Sequence, residues 1–445
     1  MKRAAFVILL IALPCAGAAS ARGQAGARSV SAAERQQAVN ALATLLRERY
    51  AIAETAPKVA ALIEQRLAAG AYDGLGDAQA FADAVEADML AATADQHLSF
   101  GVAPPPAPTP PPGAAPAPSE AAAERAAWLA GVRAGNFGLP RAEVLPGNVG
   151  YLEVRRFQPP DLAGDTIAAA IGFLANCDAL ILDLRNCRGG SAFVMPIFAG
   201  YFFAQPTSLY DMVFRGDGST ERFWTAPWLP GKRLAEVPMY ILTSGYTFSG
   251  AEGLAYRFKV LKRATIVGET TGGGANAGGV LDVPPFFRVW MPMGRPVDRT
   301  THGNWEGTGV APDIPTSARD ALATAHLEAL KGLRSKATSE REKARLDFAR
   351  ELATARHHPL EMGARELERF AGAYGPYRVW VEGGQLRSRR LREEPFLLVP
   401  LAPTVFASET NAPVRVEFAC TADGTPHTLL FTDGDGSRED APRSP

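Results

Sequence analysis

An excess of charge of either sign is missing from this 445-residue chain: 46 Lys and Arg stand against 47 Asp and Glu, a formal net charge of −1. Without a basic surplus there is no electrostatic footprint for nucleic acid or an anionic membrane, so binding to either is disfavoured. Long apolar runs are missing as well. The apolar stretch Ala4–Leu13 follows Lys2-Arg3 and leads into small residues up to Ala19-Ser20-Ala21. A charged start, an apolar segment too short to span a bilayer and an A-x-A site read as a signal peptide over residues 1–21. The expectation is an exported protein, periplasmic or secreted, with no transmembrane segment after signal cleavage. Pro14 before Cys15 fits a lipoprotein cleavage site poorly.

Cysteine is scarce. Beyond Cys15 only Cys177, Cys187 and Cys420 remain, an odd number at irregular spacing, which is neither a disulfide framework nor a zinc pattern. A single Cys177–Cys187 bridge is open in an oxidising compartment, but small buried residues are the better reading. No internal repeat stands out. The expected site needs no metal and no organic cofactor.

What is present divides the chain, which is too long for one average core. Residues 29–100 read as a helical domain: Ser31 and Glu34 form a capping-box pattern ahead of Val39, Leu42, Leu45 and Leu46, and Asp77 is a second candidate cap. Residues 101–127 contain the Pro/Ala-rich run Pro104–Pro118 and read as a linker. Residues 128–335 alternate strands (Gly150–Val154, Ala179–Leu184, Met239–Thr243, Ala264–Val267) with helices (Asp161–Ala175, Ser249–Val260), the pattern of an α/β core. A helical connector, 336–360, and a small antiparallel β-domain, 361–436, follow, with Gly383-Gly384 and Asp423-Gly424 as hairpin turns.

Two segments can carry chemistry. In Tyr240–Glu252 a buried strand runs into a loop and then a helix, with Ser249 at the junction. A serine there exposes its Oγ, and the next amide, that of Gly250, can face an oxyanion near the positive end of the helix dipole. The bland alternative is a capping box, Ser249-x-x-Glu252. In Ala179–Ser191 an apolar strand ends in Gly189-Gly190, where paired glycines let backbone approach a ligand; a plain turn is the alternative. A nucleophilic serine needs a base, and six histidines compete. Chemistry alone leaves His97, in Asp95-Gln96-His97-Leu98, and His302, close to Glu306, equally placed.

Five ordered segments together resemble the tail-specific, or C-terminal-processing, serine peptidase superfamily, nearest its tricorn-core and interphotoreceptor retinoid-binding branch. They are Asp95-x-His97-Leu98, Leu182-Asp183-Leu184-Arg185 with Gly189-Gly190, Thr247–Glu252, Val267–Gly274 and Asn304–Val310. The resemblance implies a crotonase-like peptidase core over 128–335, with Ser249 as nucleophile and an oxyanion hole from the Gly250 amide and one at Gly189-Gly190. Members with a Ser-Lys dyad carry the lysine 25 residues after the serine, but position 274 here is Gly. The resemblance therefore implies His97 as base with Glu306 as its support, although Gln96 stands where tricorn has serine, so Gln96, Ser99 or water would complete a polar relay. Asp183 and Arg185 read as structural supports. The stretch before the core is too short for an inserted PDZ domain. The implied activity is a serine endopeptidase acting on peptide or unfolded protein substrates, with oligomerisation left open. The alternative is a non-catalytic binding protein for hydrophobic small molecules or peptides on the same scaffold.

Overall fold

The computed structural model describes residues 28–104, 120–408, 414–433 and 437–444. The signal-like leader and most of the Pro/Ala run lie outside them.

Helices α1 (Ala32–Arg49), α2 (Ala56–Ala68) and α3 (Ala78–Thr93) open the described chain. The Ser31–Glu34 capping box forms, with the Ser31 amide donating to Glu34 Oε2 at 2.8 Å, and Asp77 Oδ1 accepts from the Ala80 amide at 2.9 Å. Strand β1 (Ser99–Val102) then enters a sheet, which corrects the expected linker start: Gly101 and Val102 pair with Arg288 and Phe287. The other end of the linker is corrected too, because α4 (Glu120–Ala134) is a helix. Its alanines are the strongest helix formers, and they outweigh the Pro/Ala character of the preceding run.

The central sheet is built from β2 (Arg141–Leu145), β3 (Val149–Glu153), α5 (Pro160–Phe173), β4 (Ala179–Asp183) and α6 (Met195–Gly200). The hairpin β5 (Ser208–Phe214) and β6 (Thr220–Trp224) follows and belongs to another sheet. The chain returns through β7 (Met239–Thr243), α7 (Gly250–Val260) and β8 (Thr265–Gly268). A long hairpin, β9 (Ala277–Val283) and β10 (Phe287–Val297), precedes β11 (Ile314–Pro315). Strand order is β11-β8-β7-β4-β3-β2, parallel except for the β2 edge. Period-two alternation splits β4 between two cores: Leu180 and Leu182 pack with Ile167, Leu254 and Phe258, while Ala179 and Ile181 pack with Ala325, Ala329 and Leu346. The second group comes from α8 (Ala321–Lys336) and α9 (Glu340–His357), which cover that face.

The helical region does not close a core on its own. Phe81, Val85 and Met89 share one apolar cluster with Phe100, Val283, Phe287, Val289 and Met291, so α1–α3 pack on the β1–β10–β9 face. This shared core fixes the front of the chain against the β9–β10 hairpin.

After α10 (Ala364–Glu368) come eight antiparallel strands: β12 (Gly372–Tyr374), β13 (Tyr377–Glu382), β14 (Gln385–Arg390), β15 (Phe396–Ala402), β16 (Val405–Ser408), β17 (Arg415–Cys420), β18 (Pro426–Thr432) and β19 (Arg438–Pro442). Tyr374 bridges Arg443, which brings the first strand beside the last and makes a near-barrel. Cys177 and Cys187 are free and buried and Cys420 is free, so the single bridge left open by the sequence does not form. Among the described residues no helix is long and apolar enough to cross a membrane.

Candidate active site

The loop after β7 is tied to the end of β4. Ser244 Oγ donates to Arg185 O (2.6 Å), Thr247 Oγ1 to Leu184 O (2.8 Å), and the Phe248 amide to Cys187 O (3.1 Å). Held at that end, Ser249 adopts φ 56° and ψ −123°, a backbone conformation that costs a non-glycine residue about 1–3 kcal/mol. Its own amide donates to Glu252 Oε2 at 2.7 Å, so the backbone half of the capping box is present. An unstrained cap needs no left-handed backbone, so the box does not account for this turn.

Gly189 and Gly190 lie against it. Both have positive φ, and a Cβ on Gly189 would fall 2.5 Å from the Gly250 nitrogen and 3.0 Å from Ser249 Cβ. A Cβ on Gly190 would meet Phe157 O at 2.1 Å. Only glycine permits this approach. The Gly190 nitrogen is 3.6 Å from where a Cβ on Gly250 would stand, so the two amides converge beside Ser249. Among the described residues neither amide has an acceptor.

His97 arrives from the turn after α3. Its amide donates to Asp95 Oδ1 (2.9 Å), and Tyr50 Oη donates to Asp95 Oδ2 (2.9 Å). The imidazole sits between Phe248 (centroids 4.6 Å apart) and Trp290 (5.2 Å, stacked). Buried Nδ1 has no hydrogen-bond partner and lies 3.8 Å from Asp95 Oδ1. Burial pushes the His97 pKa down to about 4; Asp95 opposes this and the Arg188 charge adds to it. The ring is therefore neutral at neutral pH, the form a general base requires.

Position 274 explains why a histidine stands here. A Cβ on Gly274 would come within 2.1 Å of Phe248 Cζ and 2.7 Å of His97 Cε1. The imidazole and Phe248 fill the space that a side chain at 274 would enter.

Two glutamates, Glu252 buried and Glu306 half-buried, fix the surrounding loops. Glu252 accepts from Thr271 Oγ1 and from the Gly273 (2.7 Å) and Gly274 (2.9 Å) amides besides that of Ser249. Burial raises its pKa while these donors lower it. Glu306 Oε2 accepts from the Ala275 (2.6 Å) and Asn276 (3.1 Å) amides, and Trp305 Nε1 donates to Gly274 O at 2.9 Å. Burial raises the Glu306 pKa, the Ala275 amide lowers it, and the Asp95 charge raises it.

Ser249, Gly250, Gly189, Gly190 and His97 thus come together although His97 and Ser249 are 152 positions apart in the chain. Glu306 stands on the loop behind Gly274–Asn276; the carboxylate within ion-pair range of His97 Nδ1 is Asp95. Asp95 was visible only as a motif letter, and Glu252 only as a cap residue. His302 lies on the loop where its amide donates to Asp298 O, while His326 pairs with His357 and Pro146 O. Asp183 and Arg185 form a bidentate pair, with the Arg185 Nη1 donating to Ala318 O at 2.6 Å. A cavity of about 70 Å³ opens at Ser249, with walls that include Met195, Leu209, Met212, Leu254 and Trp290. Arg257, also in its wall, is bound to Asp298 Oδ2 (2.6 Å) and Ser208 O (2.9 Å).

Three solved structures show a partial likeness. The photosystem II D1 C-terminal processing protease is 22% identical over 38% of this chain and 42% of that chain, with TM-score 0.33. A lipoprotein from Streptococcus agalactiae is 17% identical over 64% and 92%, with TM-score 0.42. The tricorn protease is 13% identical over 66% and 35%, with TM-score 0.41. This chain therefore spans less than half the length of the first and third. By sequence family, residues 148–316 match Peptidase family S41, and residues 29–128 match the N-terminal domain of Peptidase S41 in eukaryotic IRBP. Taken together these matches span more than half of the chain, which belongs to the tail-specific serine peptidases of family S41.

Proposed function

We propose that the protein is an exported endopeptidase that hydrolyses peptides or unfolded proteins through an acyl-enzyme on Ser249. The observation that carries this reading is the contact of the tilted His97 ring with Phe248, the residue before Ser249, on a turn where the unaccepted Gly190 and Gly250 amides converge. His97 Nε2 takes the Ser249 proton as Oγ attacks the scissile carbonyl, and the two amides receive the oxyanion. The imidazolium then returns its proton to the departing amine, and water repeats the cycle on the ester. Asp95 lies nearest the charge that develops on the ring. Glu306 supports the base at one remove, through the Ala275 and Asn276 amides that it holds beside Gly274. The apolar cavity beside Ser249 favours an apolar side chain on the acyl side of the cut. The leader-like first 21 residues support export.

A fluorophosphonate reagent tests the nucleophile. The wild-type protein is expected to gain one covalent label at Ser249, mapped by mass spectrometry, and Ser249→Ala to gain none. Equal labelling of the two proteins would refute the mechanism.

A further inference from the structure

One cation beside the site has no partner. Arg185 is paired with Asp183 and Arg257 with Asp298, but no carboxylate among the described residues lies within ion-pair distance of Arg188. Its guanidinium instead lies over two rings, Tyr246 at 5.0 Å and Phe248 at 4.7 Å from their centroids. Aromatic faces hold a cation in place without neutralising it. Arg188 is only partly buried, and Tyr246 is half exposed, so the charge is reachable from outside.

Its position relative to the reaction gives it a side. The acyl-side cavity is walled by residues that follow the glycine pair, including Ala192 and Met195, and Arg188 is not among them. Arg188 precedes that pair and shares the Phe248 ring with His97, the group that protonates the departing nitrogen. Both rest on one ring at 4.7 and 4.6 Å, so guanidinium and imidazole are within about 9 Å of each other. An extended chain advances about 3.3 Å per residue, so that gap is at most about three residues of a departing peptide.

We propose that Arg188 binds a carboxylate on the leaving-group side of the scissile bond, and that the enzyme therefore prefers substrates whose departing segment carries an acid group within about three residues of the cut. The inference rests on the acyl-enzyme reading above. The acid is either an acidic side chain or the free carboxylate at a chain end, since both offer the planar pair of oxygens that suits a guanidinium.

The test uses full-length protein and peptides with one common apolar acyl side. The departing segments are a neutral amidated tripeptide, the same with Glu at its second position, a dipeptide with a free carboxylate, and the amidated tripeptide with Lys at its second position. In wild type, kcat/KM for at least one acidic segment is expected to exceed the neutral one by on the order of ten-fold at low salt, and the gap to shrink as salt rises. The Glu peptide and the free-acid peptide distinguish an internal acid from a chain end. Arg188→Gln should bring the ratio to about one, and Arg188→Glu should favour the Lys peptide. Arg188→Lys keeps charge without the planar fork and should retain part of the preference. Fluorophosphonate labelling of Ser249 in every variant reports an intact nucleophile turn. A flat ratio in labelled wild-type enzyme, or an acid preference that survives in labelled Arg188→Gln, overturns the role of Arg188 alone. Absence of both turnover and labelling in wild type overturns the acyl-enzyme reading, and this proposal with it.

Discussion

The loops around Ser249 and the C-terminal near-barrel spend their backbone differently. Around the serine, a non-glycine residue is held at φ 56°, two amides have no acceptor, and buried His97 Nδ1 and both polar atoms of the Asn276 side chain lack partners. In the barrel, positive φ falls at turns such as Gly383, Gly384, Leu391 and Gly424, buried Ser388 Oγ and Arg389 Nε on one strand also lack partners, and the interior is packed by Phe370, Tyr374, Phe406 and Phe418. Strain and unmet hydrogen bonds are costs that packing elsewhere must offset. Where they concentrate, the chain is prepared to bind something that arrives later. Where they are not gathered around one side chain, the architecture serves stability or an outer surface.

Breaking the first region should cost turnover before stability. His97→Ala is expected to lower kcat/KM by about 10³-fold while thermal unfolding stays close to wild type, as steady-state kinetics and calorimetry would register. A loss below ten-fold would remove the ring from the proton path. Gly274→Ala comes next. Its methyl group must displace Phe248 or the imidazole, so turnover is expected to fall about 10²-fold with Ser249 still present.

The pH profile sharpens the same point. His97 serves as base only when neutral, so kcat/KM is lost as pH falls through its depressed pKa of about 4 and stays level from 5.5 to 7. An ordinary histidine would already be about 90% protonated at pH 5.5, and turnover would be down roughly ten-fold. An acid limb near 6.5 in peptide kinetics would mean that the ring is more hydrated than its packing against Phe248 and Trp290 implies.

The smallest effect on catalysis belongs to the barrel. Phe418 is 1% exposed, so Phe418→Ala should destabilise this unit by about 3–5 kcal/mol in denaturant unfolding. Per folded molecule, peptide turnover should stay within about two-fold of wild type. A large catalytic loss would join the two regions and end the contrast.

The α/β alternation, the helix after Ser249 and the two glycine-bearing hairpin turns were legible because each rests on local pattern. Strand β1 was hidden because Gly101 and Val102 adjoin the Pro/Ala run and gain their identity only by pairing with β10. Strands β5 and β6 were missed because their burial is mixed and fits no clean alternation. Short β12, β16 and β19 carry too little local pattern to be assigned until a neighbour supplies their hydrogen bonds. At the site, sequence showed that a lysine was missing at 274 but not that the vacancy holds an imidazole. That Asp95, two residues before His97, lies closest to Nδ1 depends on the Tyr50 hydroxyl holding the other carboxylate oxygen. No local pattern reports a partner 45 residues away.

The pairing of β1 with β10 has a bearing on when the enzyme can act. The strand that follows His97 is anchored to residues 287–290, which are made after the serine and well after the histidine. A nascent or half-threaded chain therefore holds a hydroxyl and an imidazole that have not met. In the acyl-enzyme reading, hydrolytic capacity appears only once the later hairpin has closed over the earlier helices, which requires about two thirds of the chain to have been made.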